Sequence, residues 1–341
     1  MRKTNSTIMN RYIPELIIIA VVVSLTCVAG VKKLNASDRA GSFVLMEPTE
    51  PRALALGASL IAENHWPQGV LLNPASAAGG GTTVNFSHAR HLIDMWSGQV
   101  GLSYKILEKY TAGFYLRTFN YGDFDETTIE TGPTGETFQA AEYVASGYVA
   151  SELGYGISVG AAGKLIWGNI WDDRSAAIAL DLGAIYNPQW EDTKFGIVLR
   201  NWGKQLAYYG FKEDNLPTEL SLGISRKLAH LPLTVSAAGI FSQTGEGDYE
   251  ADFLPGSPGI SFSLGGEFSI PLNYTDKPLQ LRLGYRSLSE GLRVGNRADT
   301  FAGISFGVGL PYKQFSFDYT FAPMGALGNV HRFGVSVNDV F

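Results

Sequence analysis

The sequence predicts an all-β fold, about 14 antiparallel strands closed as a transmembrane β-barrel with a short N-terminal plug segment. Three observations predict it. Apolar residues alternate with polar or small ones at period 2 along most of the chain. The alternating segments are mostly near the ~9 to 11 residues that a tilted strand needs to cross a bilayer, where soluble strands run ~5 to 6. The connections are sorted, tight at one end of the strands and long and polar at the other.

Composition agrees. The 341 residues include 40 glycines and are 12% aromatic, but only 17% are charged, which is sparse for a soluble chain of this length. Beyond the N-terminus no run of ~20 apolar residues offers a spanning helix. The apolar residues must therefore act at the period of a strand.

Residues 1–36 read as an export signal. Arg2, Lys3 and Arg11 precede the apolar run Leu16 to Val23, which continues to Gly30, and this is a charged region followed by an apolar core too short for a permanent anchor. Cleavage fits after Val28-Ala29-Gly30 or after Leu34-Asn35-Ala36. The lone cysteine, Cys27, lies inside this segment, so a mature chain has no thiol chemistry. Loss of the segment moves the net charge from −6 to −10, an acidic balance that argues against nucleic acid as a partner.

Residues 37–81 form the expected plug. They are too polar to span and too apolar to float free, so they fold most simply into a barrel mouth. A short helix starts at Pro51, and Asn73-Pro74 reads as a turn.

Residues 82–341 supply the barrel, with spans near 82–88, 96–107, 110–121, 137–151, 154–168, 174–187, 193–201, 217–227, 231–242, 258–270, 277–287, 299–310, 313–322 and 331–341. Phe262, Leu264, Phe268 and Ile270 alternate with Ser261, Ser263, Glu267 and Ser269; Phe315, Phe317, Tyr319 and Phe321 interleave with Ser316, Asp318 and Thr320. Successive side chains of a strand point to opposite faces. In a bilayer only a closed ladder leaves no backbone group unsatisfied, so the apolar face meets lipid and the polar face the lumen. Trp96, Tyr104, Trp167 and Tyr285 are candidates for interfacial aromatic girdles. The lumen receives Lys105, Arg117, Lys164, Asp181, Arg200, Glu267, Arg282, Arg286 and Asp318, which line a pore or simply pair and fill the interior, the latter being the commoner case. Tight turns are expected at Glu108-Lys109, Glu152-Leu153, Ala229-His230 and Pro311-Tyr312, and long loops at 122–136, 202–216, 242–257 and 287–297. An even strand count puts both termini on the short-turn, periplasmic side. The final strand ends on Phe341, with Val337, Val335 and Phe333 on the same face; such a terminal aromatic is similar to the signal read by barrel-assembly machinery.

Arg52-Ala-Leu-Ala-Leu-Gly57 and Leu72-Asn73-Pro74-Ala-Ser76, set ahead of these strands, resemble the FadL-like outer-membrane barrels. More narrowly they resemble the PorV and PorQ proteins associated with type IX secretion, and Gly41-Ser-Phe, Asn120-Tyr-Gly-Asp-Phe-Asp-Glu126 and Ala179-Leu-Asp-Leu-Gly-Ala184 bring the PorQ branch closest. The resemblance covers essentially the whole mature chain. It implies a non-catalytic outer-membrane protein, surrounded by lipid, that anchors a cell-surface or secreted protein partner. The alternative is a FadL-like transporter of hydrophobic small molecules, with the plug, marked by Arg52, Gly57, Asn73 and Pro74, as its gate.

The residues give no catalytic, cofactor or metal centre to set against this. Ser87, His88, His91 and Asp94 form the one cluster that resembles a hydrolase or metal site, but Ser87 and His88 are adjacent on a strand and face opposite ways. Asp123, Asp125 and Glu126, and Glu246, Asp248, Glu250 and Asp252, alternate as calcium ligands do, yet no complete calcium loop is present and solvated loops explain them more simply.

Overall fold

The computed structural model describes residues 42–338 apart from 92–93, 129–131, 189–191, 208, 210–214, 244–258, 273–274, 288–300, 302 and 324–328. The expected export segment, the acidic group Glu246 to Asp252 and the terminal Phe341 lie outside the described residues.

Fourteen strands close into one antiparallel barrel. In chain order they are β1 (Thr83–Arg90), β2 (Trp96–Leu107), β3 (Tyr110–Thr128), β4 (Gly132–Gly154), β5 (Ile157–Ile170), β6 (Asp173–Tyr186) and β7 (Thr193–Ala207). The second half holds β8 (Thr218–Lys227), β9 (Leu233–Gln243), β10 (Gly259–Leu272), β11 (Thr275–Arg286), β12 (Ile304–Tyr312), β13 (Phe315–Pro323) and β14 (Asn329–Asn338). Every strand pairs with its sequence neighbours. β1 also pairs with β14, from Thr83 opposite Asn338 to Arg90 opposite His331, so no edge remains with unpaired backbone groups.

The face assignment follows the alternation. In β1, Thr83, Asn85, Ser87 and Ala89 are buried and the residues between them are exposed. Val100, Leu102, Phe114, Leu116, Leu165, Phe262, Leu283, Phe306 and Phe333 stand exposed around the outside. An apolar belt this continuous is far larger than the few hundred Å² tolerated on a soluble monomer, and lipid is the solvent that suits it. Trp96, Tyr104 and Trp167 are exposed on the same face, and Trp167 stacks on Tyr143 at 5.6 Å.

Connections differ from expectation in four places; in one of them the tight turn expected at Pro311-Tyr312 falls at Lys313-Gln314, because β12 stays paired to Tyr312 opposite Phe315. Positions 122–136 are not a long loop: β3 and β4 run 19 and 23 residues and continue as a paired ribbon well past the ~11 that cross a bilayer. Phe124 opposite Phe138, stacked at 5.4 Å, with Trp171 beyond at 6.0 Å, supplies the packing that holds this acidic stretch as strand. β7 likewise continues to Ala207, so the predicted loop at 202–216 begins later. The turn after β4 falls at Tyr155-Gly156, not Glu152-Leu153, because a two-residue hairpin wants positive φ at both positions and these have φ of 52° and 78°.

Residues 42–82 enter the lumen. Helix α1 (Pro51–Ala55) begins with Pro at its first position, is capped by the Glu50 side chain, which accepts from the Ala53 N–H at 2.6 Å, and is followed by Gly57 at φ 64°. Two 3₁₀ turns follow, Pro67–Leu71 and Pro74–Ala77; Asn73 caps the second by accepting from the Ala75 N–H at 3.0 Å. Apolar plug residues then complete clusters with the wall. Leu56, Leu60, Ile61, Trp66 and Leu72 join Val198 and Ala238, and Val44 and Leu45 join Phe119, Val144 and Ile166.

Candidate functional site

The wall is shaped to receive the plug backbone. Pro51 rests on Gly334 of β14, Gly57 on Gly284 of β11, Ile61 on Gly196 of β7 and Asn73 on Gly183 of β6, so the plug traces a path around the inner wall. At three of these positions glycine is required by close approach, at Gly196 because a Cβ would collide with the Ile61 carbonyl oxygen. A Cβ at Gly284 would collide with the Gly57 main-chain nitrogen, and one at Gly183 with Oδ1 of Asn73. Asn73 itself donates to the Ile61 carbonyl at 2.8 Å and is fully buried. The plug motif residues Gly57, Asn73 and Pro74 therefore sit where plug and wall meet.

Arg52 begins an ion chain. Its guanidinium binds Glu267 through two contacts of 2.8 Å and lies 4.8 Å from the centre of the Trp66 ring. Glu267 also accepts from Arg282 at 2.8 Å, and Arg282 pairs with Asp318. Burial disfavours the Arg52 charge, but Glu267 and Glu63 more than offset this and hold its pKa above the ordinary value. Glu50 stands close by. Burial first, then the Asp318 charge, push its carboxyl up to about 7.

A second group lies further round the wall. Lys164 pairs with Asp181 at 2.6 Å and donates to Asn201 at 2.7 Å. Asn201 has φ 56° at a bulge between β6 and β7, which turns its main-chain N–H onto Asp181 at 2.8 Å. Arg200 pairs with Glu219 and donates to the Leu71 carbonyl at 2.8 Å. Arg117 donates to the Glu47 carbonyl at 2.7 Å, and Arg286 lies 3.5 Å from the Met46 carbonyl. Of the nine charges assigned to the lumen face, Lys105 alone is exposed; its register is that of the buried Ser103, but it falls at the rim next to the turn.

Sequence reasoning missed Arg332, Glu47, Glu142 and Glu219. Arg332 is fully buried, pairs with Glu47 at 3.0 Å and donates to the Thr49 carbonyl at 2.9 Å. The signal was present: Arg332 alternates with His331 and Phe333 in the last strand.

The Ser/His/Asp grouping is dispersed. Ser87 points inward and donates to the Thr49 carbonyl at 2.5 Å, while His88 faces outward against Trp96 at 5.8 Å. His91 contacts Ser97 at 2.8 Å, and burial holds its pKa down at about 4; Asp94 pairs with Arg90 at 3.5 Å. Asp123 accepts from Gln139 at 2.7 Å within the β3–β4 ribbon. Among the described residues no group of three or more His, Cys, Asp or Glu is placed to hold a metal ion.

Between the plug and the wall lies a cavity of ≈ 440 Å³. Glu50, Arg52, Trp66, Gln99, Glu267 and Asp318 line it, and it reaches the short-turn rim at Pro278, Pro311 and Asn338. The plug forms its roof.

A closed 14-stranded barrel with its N-terminal segment folded into the lumen is a specific architecture. It is a fold shared with solved hydrocarbon channels and a FadL homologue. The monoaromatic hydrocarbon channel CymD is similar at a TM-score of 0.56 and 14% identity, over 87% of this chain and 99% of that one. The toluene transporter TodX of Pseudomonas putida is similar at 0.57 and 12%, over 90% and 100%. A FadL homologue of Pseudomonas aeruginosa is similar at 0.52 and 10%, over 86% and 99%. At such identities the likeness is one of fold. No protein-family model and no curated protein sequence matches the chain.

Proposed function

We propose that this chain is an outer-membrane transporter of small hydrophobic molecules, gated by residues 42–82. The observation that carries the reading is the plug seated on the inner wall above a cavity of ≈ 440 Å³ that reaches the short-turn rim. Similarity in fold to a monoaromatic hydrocarbon channel and a toluene transporter supports it. The ion chain from Arg52 to Asp318 lines this cavity with charge, which an apolar solute avoids, so passage requires the plug to shift.

The test uses a contact already in place. The hydroxyls of Ser59 in the plug and Ser236 in β9 lie 2.6 Å apart. In a Cys27→Ser background, Ser59→Cys with Ser236→Cys should form a disulfide that stops uptake of labelled toluene by cells, and reduction should restore it. Unchanged uptake by the fully cross-linked protein would overturn gating by the plug.

A second reading has one observation in its favour. The β3–β4 ribbon projects far beyond the span and carries the PorQ-like Asn120 to Glu126 stretch, as suits an anchor for a cell-surface or secreted protein. Removing residues 123–139 should abolish co-purification of such a partner while leaving toluene uptake intact; the transporter reading expects no partner to be lost. Export through a cleaved signal belongs to both readings and is checked by sequencing the mature N-terminus, expected to start at Val31 or Ser37.

A further inference from the structure

We propose that the barrel interior binds a single halide-sized anion between residues 45–50 of the plug and Arg117, Arg200 and Arg286 of the wall. Four guanidiniums gather there. Arg117 lies within electrostatic reach of Arg332 and Arg200, and Arg200 within reach of Arg286. Among the described residues, carboxylates pair with only two of the four, Glu219 with Arg200 and Glu47 with Arg332. Among the described residues the hydrogen bonds of Arg117 and Arg286 go to main-chain carbonyls, at 2.7 and 3.5 Å, and the Glu47 carboxylate that pairs with Arg332 is also within electrostatic reach of both. Asp181, the next acid within reach of Arg117 and Arg200, is already paired with Lys164 at 2.6 Å. Glu50 turns its carboxylate back to the helix it caps.

The surplus positive charge is deeply placed. Arg117 and Arg200 are 5% and 7% exposed, and among the described residues the buried Nε–H groups of Arg117, Arg200 and Arg286 have no hydrogen-bond partner. Carbonyl oxygens and water accept hydrogen bonds from a guanidinium but do not neutralise it, and buried charge without a counter-charge is strongly unfavourable. These three arginines, with Glu47, Glu50, Leu71 and Leu72, line a cavity of ≈ 20 Å³. That is room for about one water-sized occupant, given the ~10–15 Å³ that a water needs. Chloride and bromide match the charge and are close to a water in size. Sulfate, phosphate or the head of an alkyl carboxylate do not fit the volume.

The experiment is thermal unfolding of the full chain in detergent at fixed ionic strength, with methanesulfonate, which is too large for the cavity, exchanged stepwise for chloride or bromide. The expected result is a saturable rise of the midpoint, on the order of a few degrees. Arg117→Met should abolish that rise, because it removes a buried charge that no carboxylate pairs with directly among the described residues. Crystals grown with bromide should show one anomalous peak between Arg117, Arg200 and Arg286. A midpoint indifferent to the anion, or a rise that persists in Arg117→Met, would overturn the site.

Discussion

Glu50 is the residue whose chemistry bears most directly on the plug, because it caps α1 and borders the large cavity at once. Its carboxyl is raised from 4.5 to about 7. A carboxyl raised on folding contributes stability that is complete below the unfolded value and is lost as pH climbs through the folded one. The window is therefore pH 4.5 to about 7, with the plug held less firmly above it. The shift corresponds to roughly 3 kcal/mol at most. Glu50→Gln keeps an acceptor for the Ala53 N–H and removes the titration. Its midpoint should lack the loss that Glu50 gives the parent across that window and exceed that of the parent at pH 8, as read by thermal melts of both at a series of pH values. Glu267 makes the complementary case. It stands between Arg52 and Arg282, so Glu267→Ala leaves two buried cations facing each other and should cost about 3–5 kcal/mol in urea unfolding. Glu267→Gln, which keeps an acceptor oxygen, should lose distinctly less.

At the scale of elements, the seating of the plug on the wall invites a paired test. Gly284→Ala sets a methyl against the Gly57 main chain, which has no rotamer with which to yield, whereas Gly163→Ala on the outer face meets nothing within 4 Å. The first should expose residues 42–82 to protease in the folded barrel and the second should not; equal protection in both would mean that the plug does not depend on this approach. That close approach was invisible in the sequence, which shows glycines at alternate strand positions but not which of them a distant segment will cover. The strands were legible because each has a lipid face and a lumen face, and period 2 records both at once. Helix α1 and the turn at Asn73-Pro74 were legible for a local reason, since Pro at the first turn and Asn before Pro are signals carried by adjacent residues. The β3–β4 ribbon was not. Its Asp123, Asp125 and Glu126 read as loop, and the cross-strand pairing of Phe124 with Phe138 that overrides them links residues too far apart for a local pattern to show. Arg332 and Glu219 followed the same alternation that placed Arg117 and Arg282 and were overlooked in spite of it.

The whole molecule stands or falls on which solvent wets its outer face. A sandwich would also alternate, but it would bury its apolar face against a second sheet, and here Val100 is 50% and Ile106 53% exposed on the outside of a closed ladder. Exposure alone does not separate lipid from water; depth does. Val100 lies midway along β2 between Trp96 and Tyr104, the girdle candidates, and Ile106 lies beyond Tyr104 toward the periplasmic turn. Arginine on the lipid face costs ~2–4 kcal/mol at the bilayer midplane and ~0–1 near the interface, where the side chain reaches the headgroups. Val100→Arg should therefore destabilise the barrel in lipid vesicles by about that larger amount and Ile106→Arg by about the smaller. The two positions differ little in exposure, so a water-facing surface would tolerate both substitutions alike. Urea titration of the two variants in the same vesicles measures the difference, and equal midpoints would remove the bilayer from the account of this fold.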